Sequence, residues 1–154
     1  MELADILSED SVLACDKVKD KTELLDLLSR HAARVTGSEA ATIRETLEAR
    51  EALGSTGLGN GIAIPHGKLA SIKSIAGIFA RLEAPVDFEA LDDQPVDLVF
   101  LLLAPEGAGA DHLKALSRIA RVLRDQDLVA KLRATESASA IYAFLNEEQA
   151  SNAA

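Results

Sequence analysis

The sequence predicts an α/β fold: a single-domain sandwich in which a mixed β-sheet is flanked by helices on both faces. Three observations predict it. Helix-period segments alternate with strand-like segments along the chain. One of the strand candidates, Val96 to Ala104, is apolar almost throughout, the mark of a central strand covered on both sides. The chain has 154 residues, of which 48% are hydrophobic, enough for one proper core. Aromatics make up only 3% and Trp is absent, so that core must be built from Leu, Ile, Val and Ala. No internal repeat and no linker divides the chain.

Each element has its own local signal. Ser11 to Cys15 reads as a short strand. Thr22 to Thr36 carries Leu24, Leu25, Leu28, Ala32 and Val35 at helical spacing and stops at Gly37. Ser38 is placed to cap a second helix that runs through Ile43 and Leu47 to about Leu53, with Gly54 as its stop. Ile62 to Pro65 and Ile75 to Glu83 read as strands. After Val96 to Ala104, Asp111 is placed as the cap of a helix with Leu113, Leu116, Ile119, Ala120 and Leu123 on one side. Two shorter helices follow, near Asp127 to Ala134 and Thr135 to Asn146. The tail from Glu147 to Ala154 is small and polar and is expected to fray, which leaves residues 1–146 as the domain.

Composition removes several classes of function. The run Leu98 to Ala104 is far too short to span a bilayer, and the start Met1-Glu2-Leu3-Ala4-Asp5 lacks the pattern of a secretory signal, so a cytoplasmic location without membrane insertion is expected. Cys15 is the single cysteine, which excludes an internal disulfide and a cysteine-based metal site. A net charge of −9 with pI about 4.8 argues against nucleic-acid binding and favours a basic protein partner.

The stretch Gly54 to Lys68, GSTGLGNGIAIPHGK, concentrates the chemistry. Four glycines allow tight turns and close backbone approach. Pro65 fixes its own φ and holds Ile64 extended, so the chain enters His66 stiffly, and Gly67 leaves the imidazole a bare flank. Nucleotide motifs fail here: Ile62 stands where a dinucleotide fingerprint needs its third glycine, and Gly67-Lys68 is followed by Leu69 instead of Ser or Thr. His66, framed by Pro and Gly, is expected in a loop with no core pattern to satisfy, a setting that binding and catalytic groups favour. A capping histidine is the plain alternative. His31 sits beside the apolar stripe of the first helix and reads as a packing or surface residue. His112 falls in a helix's first turn, where free N–H groups and the helix dipole favour an anion, although the bare pattern also fits an exposed helix-start residue.

Two histidines without further ligands are too few for zinc, and the Gly-x-Ser-x-Gly elbow is absent. No metal and no cofactor is expected. Histidine as nucleophile remains natural: a neutral imidazole nitrogen attacks phosphorus and holds the phosphoryl group as phosphohistidine. Such a site needs positioning and positive potential. Arg50 lies just before Gly54 and Lys68 flanks His66, although helix-end dipole pairing and ordinary solvation explain those two cations equally well. The attacking nitrogen must be unprotonated, so transfer is expected to fail in acid.

The run Gly54 to Lys68, the helix ending at Arg50, the segment Asp92-Asp93-Gln94-Pro95-Val96-Asp97-Leu98 and the start Asp111-His112-Leu113 resemble the enzyme IIA components of the fructose/mannitol class of the bacterial phosphoenolpyruvate-dependent phosphotransferase system, in particular their nitrogen-regulatory branch. The resemblance covers roughly Leu3 to Asn146. It implies an α/β sandwich with helices on both sides of a mixed sheet. It implies His66 as the phosphorylated residue, through Nε2, His112 as the second histidine that helps hold the phosphoryl group, and Arg50 as the active-site arginine. The phosphoryl donor it implies is a small histidine-containing phosphocarrier protein, loaded by an enzyme I from phosphoenolpyruvate. The leading expectation is a regulatory phosphocarrier whose two states bind different protein targets, in nitrogen or potassium regulation by resemblance. The alternatives are a sugar-uptake IIA that passes phosphate to a IIB protein, and a binding module that is never phosphorylated.

Overall fold

The computed structural model describes residues 2–153, with side-chain surroundings through Glu147. In chain order the elements are α1 (Leu3–Ile6), a 3-10 turn (Glu9–Ser11), β1 (Val12–Asp16), α2 (Lys21–Thr36), α3 (Ala40–Ala52), β2 (Gly57–Gly59), β3 (Ile62–Ala63), β4 (His66–Leu69), β5 (Ala76–Val86), β6 (Val96–Pro105), α4 (Ala110–Val122), α5 (Gln126–Ala134) and α6 (Ala138–Ala153). The last helix runs on over the stretch from Glu147 that the sequence reads as a frayed tail. Ala154 lies outside the described residues.

The mixed sheet expected from the sequence is present. Its order is β1-β5-β6-β3-β2, and β4 follows β3 along the same side of β6. β6 takes β5 antiparallel on one side and β3 and then β4 parallel on the other. Its near-continuous apolar sequence is explained by what covers it. Leu98, Phe100 and Leu102 join one core with residues of α1, α4, α5 and α6, whereas Val99, Leu101 and Leu103 join the other with α2 and α3. Alternate side chains of a strand point to opposite faces, so one strand serves as the common wall of two cores. Each fully buried Leu or Phe there contributes about 1.5–3 kcal/mol of burial.

Helix ends follow local chemistry. The Asp20 carboxylate accepts from the Glu23 N–H at 2.8 Å and starts α2, and Gly37 ends it at φ 80°. Asp125 caps α5 by accepting from the N–H groups of Asp127 and Leu128. Two expected caps are corrected. Ser38 does not cap α3: its hydroxyl pairs with that of Ser71 at 2.8 Å, and Glu39 occupies the N-cap without a side-chain bond. Asp111 does not cap α4 either, because the helix begins earlier, behind Gly109 at φ 56°, and places Asp111 inside its first turn.

Helix α4 turns a histidine toward the core. Its buried face is His112, Ala115, Ile119 and Val122, whereas Leu113 is 65% exposed. Of the expected stripe, Ile119 and Leu123 are buried and Leu116 and Ala120 pack against the same core, so only Leu113 falls outside it, and His112 turns inward instead.

Candidate active site

His66 opens β4 and does not lie in a loop as the sequence suggested. Its Cα partner on β6 is Leu102, and the Leu102 N–H donates to the Pro65 carbonyl at 3.0 Å. The expected strand Ile62 to Pro65 is shorter, β3 ending at Ala63, and the Ile64 N–H donates to the Thr56 carbonyl at 3.1 Å in continuation of the β2–β3 pairing. The Ile64 carbonyl lies 2.9 Å from His66 Nδ1. A carbonyl can only accept, so Nδ1 carries the proton, and in the neutral ring Nε2 holds the lone pair.

Arg50, in the last turn of α3, faces that lone pair. Its Nε is 3.4 Å from His66 Nε2, a long contact, and its Nη1 donates to the Gly54 carbonyl at 3.0 Å. Helix α3 can approach this closely because residue 67 has no side chain: a Cβ there would lie 2.6 Å from Thr46 Cγ2. Gly67 therefore clears the path of a helix as well as the flank of the imidazole.

His112 closes the site from α4. Its ring centroid is 5.6 Å from that of His66, at an interplanar angle of 49°. The residue is only 8% exposed, and its buried Nδ1 has no hydrogen-bond partner. Burial pushes its pKa below the ordinary histidine value, and the nearby His66 and Lys68 lower it further. A neutral His112 is the consequence. Lys68, on β4, is among the residues lining a hollow of about 370 Å³, with Thr46, Arg50, Leu53, His66 and His112. Larger hollows lie elsewhere, one of about 830 Å³ between the Leu58–Ile62 turn and α5. The small hollow brings two histidines, an arginine and a lysine together, and those groups count for more than volume.

The structure thus gathers His66, His112, Arg50 and Lys68. His31 stays away from them: its Nε2 donates to the Asp10 carbonyl at 2.7 Å and its Nδ1 accepts from Arg34 at 3.0 Å, tying α2 to the 3-10 turn. Sequence reasoning missed Glu51, which is hydrogen-bonded to Thr56 and paired with Lys21. A carboxylate in the last turn of a helix opposes the helix dipole and needs compensation, and that was its only trace in the sequence. The resembling segment around Asp92 has a structural task. Its carboxylate accepts from the N–H groups of Asn60 and Gln94, which hold its pKa below the usual range.

A histidine opening a β-strand, a second buried histidine on a facing helix and a nearby arginine share one hollow, and similarity over the whole chain gives the class of protein that carries them. Residues 5–148 match the family described as "Phosphoenolpyruvate-dependent sugar phosphotransferase system, EIIA 2", and the chain belongs to that family, which carries out phosphoryl transfer. Within it the similarity points to the nitrogen-regulatory branch. The chain is 55% identical over 145 residues to the nitrogen regulatory protein of Bradyrhizobium diazoefficiens, covering 94% of this chain and 95% of that one. It superimposes on the crystal structure of nitrogen regulatory protein IIA-Ntr from Neisseria meningitidis with a TM-score of 0.88 at 38% identity, over 93% of this chain and 98% of the other. It is also 40% identical over 124 residues to a fructose-specific EIIA component of Haloferax volcanii, covering 80% of this chain and 79% of that one. No helix among the described residues is long and apolar enough to cross a membrane.

Proposed function

We propose that this protein is a regulatory histidine phosphocarrier, phosphorylated on Nε2 of His66 by a histidine-containing phosphocarrier protein. The observation that carries the reading is the bond from His66 Nδ1 to the Ile64 carbonyl, which leaves Nε2 unprotonated and directed at the hollow it shares with Arg50 and His112. In the transfer, the Nε2 lone pair forms a bond to phosphorus while the phosphorus–nitrogen bond of the donor's phosphohistidine breaks, and its electron pair returns to the donor imidazole. His66 then carries positive charge on its ring, and the Ile64 carbonyl stabilises the Nδ1–H that bears part of it.

Arg50 and His112 act on the charge that arrives. The guanidinium moves from the Nε2 lone pair to the phosphoryl oxygens, where a charge-assisted bond contributes about 1.5–3 kcal/mol when shielded from water. His112 holds the group by hydrogen bonding and takes up a proton as the anion forms beside it. The helix behind His112 starts at a glycine, which offers no side chain to the N–H groups of the first turn, so that end of α4 favours an anion. The phosphorylated and bare forms bind different protein targets in the cytoplasm, and no sugar moves.

Intact-mass measurement after mixing with enzyme I, the phosphocarrier and phosphoenolpyruvate tests the reading. One acid-labile phosphoryl group per chain, lost in His66→Ala, is expected. Full labelling of His66→Ala would refute it. The similarity to a fructose-specific EIIA component favours one second reading, sugar-uptake transfer to a IIB protein. Rapid passage of the label to a IIB partner would establish that reading in place of the regulatory one.

A further inference from the structure

We infer that Glu51 is a positioning residue for the His66 nucleophile. Clamped by Lys21, its carboxylate holds Thr56, and through the Thr56 and Ile64 carbonyls it sets the orientation and tautomer of the His66 ring. The part of this that concerns rate rests on the reading that His66 is phosphorylated, whereas the part that concerns the ring does not.

The chain of contacts is continuous. Lys21 Nζ lies 3.0 Å from Glu51 Oε1, with the lysine side chain 15% and the glutamate side chain 5% exposed. The Thr56 N–H donates to the same oxygen at 3.1 Å, and the Thr56 hydroxyl donates to Oε2. The Thr56 carbonyl accepts the Ile64 N–H at 3.1 Å, and the Ile64 carbonyl accepts His66 Nδ1–H at 2.9 Å. Each link has a direction fixed by chemistry: an ammonium only donates, a carboxylate only accepts, and so do the two carbonyls. Reading along it from Lys21, the one group left without a fixed proton is His66 Nε2.

Two features show that this network serves the site as well as the fold. Glu51 is next to Arg50 in the last turn of α3, so the same turn presents the guanidinium to Nε2 and anchors the segment that orients the ring from behind. Ile64 also falls in the gap between β3 and β4, where the Thr56 carbonyl holds its N–H by continuing the β2–β3 pairing one residue beyond those strands. Thr56 is itself 7% exposed and fixed at both its N–H and its hydroxyl by Glu51. Without the carboxylate, the Thr56 carbonyl and the Ile64 peptide lose their anchor, and with them the acceptor that fixes His66 Nδ1.

The test uses uniformly 15N-labelled, unphosphorylated full-length protein, in which imidazole nitrogen shifts report the tautomer directly. Wild type is expected to show His66 with Nδ1 protonated and Nε2 bare. Glu51→Gln and Thr56→Val are expected to shift His66 toward a mixture of tautomers. They should also slow single-turnover transfer from the phosphocarrier roughly tenfold or more, since misplacement by about 1 Å costs on the order of a hundredfold. The half-saturating donor concentration should not change. Thr56→Ser, which keeps the hydroxyl, should restore both the tautomer and the rate. If Glu51→Gln does not fold, Thr56→Val against Thr56→Ser decides. A His66 ring that stays wholly Nδ1-protonated in the folded variants overturns the inference, as does a shifted tautomer with an unchanged transfer rate. A wild-type protein that accepts no phosphoryl group while the tautomers still shift refutes the phosphocarrier reading and leaves the control of the ring standing.

Discussion

Gly67 stands where β4 meets α3, and replacing it tests how the site is held together. Its backbone is outside the positive-φ region, so alanine would meet no conformational penalty and the whole cost lies in contact. The new Cβ would fall 2.6 Å from Thr46 Cγ2. Carbon atoms pack at about 3.5–4.0 Å, so the two must separate by roughly 1 Å. Thr46 cannot turn aside cheaply, because it is β-branched and its hydroxyl donates to the Thr42 carbonyl at 2.9 Å. The helix must therefore retreat, carrying Arg50 away from His66 one turn further on. Overpacking of this kind costs about 1–3 kcal/mol of stability. A shift of about 1 Å at a reacting geometry slows chemistry by up to roughly a hundredfold. Gly67→Ala should thus lower the urea midpoint and slow transfer to His66 in a single-turnover mixture with the phosphorylated donor. Thr46→Ser in the same chain removes Cγ2, keeps the hydroxyl, and should recover most of both losses, a double-mutant coupling of about 1–3 kcal/mol. If Gly67→Ala transfers at the wild-type rate, or Thr46→Ser rescues nothing, α3 does not set the position of Arg50.

Three further outcomes follow from the same geometry. Because the folded-state pKa of His112 is lowered, its neutral form stabilises the fold above the ordinary histidine value of 6.5, and that contribution is lost as pH falls below it; urea midpoints measured from pH 8 to pH 5 should fall less steeply in His112→Gln than in wild type. Phosphorylation of His66 places a dianion beside His112 and should raise the His112 pKa, which NMR titration of the two forms will show as a shift to higher pH. Phe100, fully buried and edge-on to Phe79 with centroids 6.1 Å apart, should cost about 3–5 kcal/mol as Phe100→Ala by urea denaturation, with His66 still competent for phosphorylation in the fraction that folds.

Much of this architecture was legible in the sequence where hydrophobic patterns are strong. The apolar run of β6 announced a strand with two covered faces, and the period of α2 gave its length to within a residue. What escaped was set by tertiary contacts. His66 reads as a loop residue because Pro and Gly frame it, yet β6 offers it a parallel partner that no local pattern can reveal. His112 reads as exposed because Leu113 completes a longer apolar stripe, yet the rest of that stripe packs on the core while Leu113 stays outside and His112 is buried beside His66. Glu51 left almost no trace, since its partners come from residues 21 and 56, on two other segments. The glycine-rich segment stood out in the sequence because its glycines serve approach and turning, needs that hydrophobic periodicity does not explain.

The placement of His66 in register with Leu102 has a consequence for signalling. Under the proposed function, a phosphoryl group attached there would sit on a strand paired with the buried strand β6. Any protein that tells the loaded form from the empty one must therefore sense a new local charge on an unchanged contour, and its preference should fade as added salt screens that charge.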